Sequence, residues 1–250
     1  MKNTGGKERA DQMLVDQGLA ESKTRAQSLI LSGAVYLGER RIDKAGTSLP
    51  SESVLVVRSN DLAYVSRGGV KLAGALDAFQ IAIEGRVAID VGASTGGFTD
   101  VLLQRGAQQV YAIDVGYGQL HQKLRNDSRV KSFERTNARH MTLQTFGFSE
   151  ASFDIAVIDA SFIGLEKLLP AVGTVTRLGA PIVAMVKPQF QLQARDVGKH
   201  GVVKDEEKRQ RAAQIVIDCA RELGMELLSQ VDSSLAGPQG NREIFLHLKR

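Results

Sequence analysis

A chain of 250 residues with 43% hydrophobic side chains is long enough for one large domain, or one large and one small, and can bury a sizeable core. With no Trp and 5% aromatics that core must be aliphatic, and 32 basic against 28 acidic residues, a net +4, permit a nucleic-acid partner without requiring one. A single cysteine, Cys219, excludes an internal disulfide and a thiolate metal cluster. No apolar run reaches the ~18–20 residues of a bilayer span, and the polar start MKNTGGKERADQ lacks the apolar stretch of a secretory signal. A cytoplasmic protein is expected.

After an unstructured polar start, residues 7–28 read as helical. Met13, Leu14, Leu19, Ala26, Leu29 and Ile30 recur at helix-like spacings, broken at Gly18. Ser22 is a fitting N-cap for KTRAQSLILSG, which Gly33 ends. Strand-like AVYLG and SVLVV follow, on either side of GERRIDKAGTSLP. Residues 7–58 thus form a small α+β module, residues 59–69 a linker, and residues 70–250 the main domain.

In the main domain a helix from about Val70 to Phe79 precedes a run of alternating strands and helices. The strands are VAIDVG, QVYAIDV, RVKSFER, FDIAVIDAS and APIVAMVKP, then MELLSQVDSS and NREIFLHLK after a long helix over 205–224. Strands alternating with helices predict an α/β fold with a seven-stranded, mostly parallel sheet covered on both faces. The last two strands have no helix between them and predict an antiparallel hairpin at one edge.

The strongest local feature is the loop Asp90-Val91-Gly92-Ala93-Ser94-Thr95-Gly96-Gly97-Phe98-Thr99, which follows a buried strand and opens a helix. Glycines there let the backbone pass close under a ligand, at the strand ends where open α/β sheets bind ligands. Asp114 ends the next strand, placed to accept hydrogen bonds from ribose hydroxyls. The spacing is not the G-x-G-x-x-G of dinucleotide sites, and Asp90 would repel a pyrophosphate. A sulfonium or ammonium group suits it, so a methyltransferase site is the better reading and a dinucleotide site the alternative. Asn137, in the turn RTNARH, stands where a side-chain amide could read an adenine edge, and it also suits an ordinary turn.

Four charged residues punctuate apolar elements. Asp159 and Lys187 end strands at the carboxyl edge of the sheet, Glu243 begins the last strand, and Lys71 lies early in the first helix of the main domain. Each alone fits a solvated position, but charges next to apolar runs are costly to bury unpartnered. Together they suit methyl transfer to an alcohol. A lysine beside another cation gives up its proton more readily and could then take that of a hydroxyl, or steady the developing alkoxide, with the carboxylates orienting it. The loop GKHGVVKDEEK reads as a solvent loop, with the substrate cleft as its other candidate neighbour.

These residues resemble the FtsJ-like RNA ribose methyltransferases, whose Lys-Asp-Lys-Glu set falls on Lys71, Asp159, Lys187 and Glu243. The resemblance implies a Rossmann-like class I methyltransferase fold and S-adenosyl-L-methionine as cofactor. That cofactor would be bound by Asp90, Gly92, Ser94, Thr95, Gly96, Gly97 and Phe98, by Asp114 with Val115, and by Asn137 with Ala138. No metal is implied. The string RADQMLVDQGLAESKTRAQSLILSGAVYLGERRIDKAG resembles the small RNA-binding fold of ribosomal protein S-four. It implies phosphate contacts by Lys23, Arg25, Arg40, Arg41 and Lys44, with Arg67 of the SRGG motif beside them. SRGGVKL, VGASTGGFTD, DVGYGQL, VIDASFI and VKPQFQ together resemble the TlyA family over nearly the whole chain. That resemblance implies cytidine 2′-O-methylation of ribosomal RNA on the ribosome or its subunits, with no membrane and no obligate protein partner. The alternatives are a non-catalytic RNA-binding or assembly factor and, from the haemolysin label such proteins carry, a membrane-active protein.

Overall fold

The computed structural model describes residues 6–31, 33–57, 63–237 and 240–250. The expected polar start (1–5), the last residue of the expected module (58) and part of the expected linker (59–62) lie outside the described residues.

The N-terminal module opens not with a helix but with strand β1 (Lys7–Arg9), paired antiparallel with β4 (Ser48–Pro50). Helix α1 (Ala10–Asp16) then stops because Gly18, at φ +69°, turns the chain left-handed and donates its N–H to Val15. Helix α2 (Lys23–Leu31) starts as expected, with Ser22 Oγ accepting from Arg25 N at 3.2 Å. Strand β2 (Val35–Leu37) lies between β3 (Arg40–Arg41) and β5 (Val56–Val57). Met13, Leu14, Ile30, Val35, Ile42 and Leu49 close a small core. Asp11 is fully buried beside it. It accepts from Arg9 Nε at 2.9 Å, Arg9 Nη2 at 2.7 Å and Gln27 Nε2 at 3.1 Å, and the Arg9 bond above all holds its carboxyl down at about 2.

In the main domain, helix α3 (Arg67–Phe79) begins earlier than its apolar pattern suggests, and Arg67, Gly68 and Gly69 form its first turn. Then follow β6 (Val87–Val91), α4 (Gly97–Gln104), β7 (Gln109–Ile113), the short α5 (Gln122–Arg125), β8 (Val130–Phe133), β9 (Ile155–Ile158), α6 (Leu169–Val175), β10 (Pro181–Val186), α7 (Pro188–Gln191), α8 (Glu206–Glu222), β11 (Glu226–Asp232) and β12 (Ile244–Lys249). The seven strands form one sheet in the order β11-β12-β10-β9-β6-β7-β8. β8, β7, β6, β9 and β10 run parallel, while β12 is inserted antiparallel between β10 and β11, so the predicted hairpin does form one edge.

Apolar side chains cover both faces of the sheet. Leu72, Leu76, Val101 and Leu102 of α3 and α4 pack on one, and Leu169, Val172, Ala213 and Val216 of α6 and α8 on the other. That two-sided burial is why the central strands read as apolar runs rather than alternating ones. At the β7–β8 end Tyr111 gathers four phenylalanines, 133, 146, 148 and 153, with ring centroids 5.1–5.9 Å away. Among the described residues no helix is long and apolar enough to cross a membrane.

Candidate active site

The loop between β6 and α4 is shaped by backbone that side chains would obstruct. At Gly92 (φ +86°) a Cβ would lie 2.6 Å from the Asp159 carbonyl oxygen, and at Gly97 it would lie 2.2 Å from Ser66 Oγ. The first contact brings the β6 loop against the end of β9, the second against the N-cap of α3. Three chain segments distant in sequence thus meet at the carboxyl edge of the sheet.

Beneath the loop Asp90 is completely buried. Its Oδ2 accepts from Thr99 Oγ1 at 2.7 Å, and its Oδ1 has no hydrogen-bond partner. Burial pushes this carboxyl up to about 7; the Thr99 hydroxyl pulls against that, and the charges of Asp159 and then Asp114 add to it. Asp114 clasps the loop from the side. Its Oδ2 accepts from Ser94 N at 2.8 Å and its Oδ1 from Gly116 N at 2.7 Å, and each oxygen keeps a lone pair for a ligand.

A cavity of about 800 Å³ opens above this edge. All four of the lysines and carboxylates expected to converge, Lys71, Asp159, Lys187 and Glu243, line it, together with Gly92, Ser94, Thr95, Gly97 and Phe98 of the loop. They are arranged as two ion pairs. Lys71 Nζ donates to Glu243 Oε1 at 3.0 Å, with both side chains buried. Lys187 Nζ lies 2.5 Å from Asp159 Oδ1 in a more open setting and donates to Ser161 Oγ at 2.8 Å. A second, small recess beside the loop is lined by Ser94, Asp114 and Gly116. Val115, Asn137 and Ala138 line neither space, nor do Asp90 and Gly96. Val115 is largely exposed, Ala138 is buried, and Asn137 Oδ1 accepts from Arg139 N at 3.0 Å, which is turn chemistry. Gly96 (φ +93°) packs against Leu124.

Several contributors were not expected from the sequence. Asp43, Lys44 and Ala45 of the N-terminal module line the cavity together with the two ion pairs. Of the expected RNA-facing cations, Lys44 and Arg67 line the cavity, while Lys23 and Arg40 are exposed elsewhere. Arg41 is engaged with Asp43 at 2.5 Å. Arg25 lies against the main domain: His121 is held below its ordinary value first by burial and then by that cation. The loop at 197–201 lies on the cavity as well, through Val197, His200 and Gly201, rather than lying free in solvent. It is held by Asn241, fully buried, whose Nδ2 donates to Gly201 O at 2.8 Å and whose Oδ1 accepts from Val203 N at 2.8 Å. A lone amide two residues before Glu243 was the available signal. At the mouth stands Phe162, 90% exposed at φ +65°, its ring 5.1 Å from that of Phe190. An exposed phenylalanine in the left-handed region is a costly conformation that needs a reason.

Comparison with known proteins agrees with this architecture. The FtsJ-like methyltransferase model matches residues 64–250 and the S4 domain model residues 8–55. The chain is 47% identical to the 16S/23S rRNA (cytidine-2′-O)-methyltransferase TlyA of Mycobacterium tuberculosis, covering 96% of this chain and 89% of that protein. It is 37% identical to Hemolysin A of Brachyspira hyodysenteriae, covering 96% and 98%. A solved structure of a Streptococcus thermophilus protein superposes at a TM-score of 0.75 with 38% identity, covering 99% of this chain and 90% of that one. With its methyltransferase fold, its N-terminal S4 domain and relatives along almost its whole length, the chain belongs to the TlyA family of FtsJ-like RNA methyltransferases.

Proposed function

We propose that this chain methylates the 2′-hydroxyl of a cytidine ribose in ribosomal RNA, in the cytoplasm, with S-adenosylmethionine as donor. The observation that carries the reading is the pairing Lys187–Asp159 and Lys71–Glu243 on one cavity beside the glycine loop. The donor suits the site. A positively charged ligand would meet Asp159 on the cavity and Asp114 beside the loop, with the Asp90 carboxyl buried beneath them, and Gly92 and Gly97 leave its chain room. Asp114 retains lone pairs for a ribose diol. When bound, S-adenosylmethionine supplies a methyl group made electrophilic by its sulfonium.

The chain's own residues would do the rest. Lys187, the more open of the two lysines, takes the proton of the 2′-hydroxyl while Asp159 holds its amine in place. Lys71, buried on Glu243, fixes the far wall and adds a positive charge that steadies oxygen as negative charge develops on it. Phe162 offers a base an aromatic face at the entrance, a contact every nucleobase accepts. Residues 7–58 would grip RNA through phosphates and deliver it, with residues 59–69 joining them to the catalytic domain.

The test is transfer of tritiated methyl from S-adenosylmethionine to ribosomal RNA, followed by mapping of nucleotides whose 3′ bond resists alkali. Lys187→Ala should lose transfer by about 100-fold or more while donor affinity holds. Full transfer by that variant would refute the role given to Lys187.

A further inference from the structure

We infer that Ser161 is a positioning residue for the methyl-transfer reaction: its hydroxyl, with the Asp159 carboxylate, aims the Lys187 amine at the substrate. The inference rests on the proposed function and adds to it a residue outside the Lys-Asp-Lys-Glu set.

The argument is one of valence. A neutral amine has a carbon, two N–H bonds and one lone pair in tetrahedral directions. Only the lone pair can take a proton, so a base on a four-carbon stem works only if that direction is fixed. Lys187 Nζ donates to Ser161 Oγ at 2.8 Å and lies 2.5 Å from Asp159 Oδ1. The Ser161 hydrogen bond takes one N–H direction and stops rotation about Cε–Nζ, the Asp159 charge draws the second hydrogen of the neutral amine to its own side, and the lone pair is left the remaining direction. With Asp159 alone the amine could rotate about its Cε–Nζ bond and present a hydrogen instead. As the oxygen–methyl bond forms and the methyl leaves the sulfonium, the hydroxyl proton passes to Nζ. The products are an ammonium, a 2′-methoxyl and a neutral thioether. The new N–H then occupies the former lone-pair direction, and the Ser161 hydrogen bond and the Asp159 ion pair persist.

Ser161 is placed for this and for little else. It is exposed, lines the cavity, and sits two residues after Asp159 where Phe162 turns the chain left-handed. The other charged groups on the cavity, Asp43, Lys44, Arg67, Lys71, His200 and Glu243, have no contact with Ser161 among the hydrogen bonds and ion pairs of the described residues.

Ser161→Ala and Ser161→Thr separate this role from RNA binding. Ser161→Ala should lower kcat by about tenfold with KM for RNA and donor affinity within about twofold of wild type. Ser161→Thr, which keeps the hydroxyl, should restore kcat. A readout independent of turnover is the carbon-13 relaxation of the Lys187 Cε in the free protein, which should report loss of order in Ser161→Ala and not in Ser161→Thr. Three results would overturn the inference: unchanged kcat in Ser161→Ala, a loss confined to KM for RNA, or a Ser161→Thr variant as slow as the alanine one. Absence of methyl transfer by the wild type would instead remove the parent reading, and the relaxation data would still decide whether Ser161 orders Lys187.

Discussion

Asp90 shows how one side chain can couple stability to pH. Its ordinary carboxyl value is 3.8 and burial raises it to about 7 in the fold. Above pH 3.8 the unfolded chain releases this proton while the native protein keeps it, so the native state binds more protons between about pH 4 and 7. The contribution to stability is complete below pH 3.8 and is lost as pH rises through 7. Asp90→Asn should flatten this decline, which thermal melts at pH 4.5 and 7.5 would measure. If a donor cation settles near Oδ1, its binding at about pH 6 should release a proton, visible as a buffer-dependent binding enthalpy.

Lys71 and Lys187 should differ in what their removal costs the fold. Lys71 and Glu243 have side chains only 8% and 3% exposed, so Lys71→Ala strands a buried carboxylate and should cost roughly 3–5 kcal/mol. Lys187 and Asp159 are more open, at 13% and 24%, and Lys187→Ala should cost less, roughly 1–3 kcal/mol. Chemical denaturation of the two variants checks the contrast. At this scale the sequence was informative wherever a charge interrupts an apolar run, as at Lys187 and Glu243. It was silent where function comes from a neighbour's geometry. Ser161 looks like any loop serine until Lys187 is placed 2.8 Å away, and Asn137 proved to cap a turn.

Among the elements, the central strands were legible because burial on both faces leaves an unbroken apolar signature. The two three-residue strands Lys7–Arg9 and Ser48–Pro50 were not, because each is mostly exposed and exists through its partner. The first turn of α3 was hidden for a different reason. Gly68 and Gly69 read as breakers, yet a Cβ at Gly69 would lie 2.4 Å from Tyr64 Cβ, so the glycine makes room for a folded-over tyrosine. The Asn241 clamp belongs to this scale too, since it joins the 198–203 loop to the segment that carries Glu243. Asn241→Ala should loosen the loop, raising KM for RNA several-fold with donor affinity unchanged, and hydrogen exchange should show the Val203 amide losing protection. An unprotected Val203 amide in the wild type would contradict the clamp.

Over the whole molecule, the cavity is walled by both modules, with Lys44 on one side and Lys187 on the other. Neither module alone announces this in sequence, because nothing in a periodicity says which surface one domain turns toward another. Arg41 is engaged by Asp43, so the cleaner probe of RNA binding is Arg40→Glu with Lys44→Glu. The pair should weaken RNA affinity and reduce the slope of log affinity against log salt by about 2, one for each lost phosphate contact, while donor affinity stays constant. Filter binding across a salt series measures it.

The absence of tryptophan has an optical consequence. Excited beyond the phenylalanine absorption band, the protein emits only from its four tyrosines, and the fold distributes them. Tyr36 lies in the N-terminal sheet, Tyr64 against the start of α3, and Tyr111 amid its four phenylalanines. Tyr117 stands 64% exposed with the Arg135 guanidinium 4.3 Å over its ring. Replacing three of them with phenylalanine would leave one tyrosine emitter, so the unfolding of each module could be followed by its own light, without an added dye.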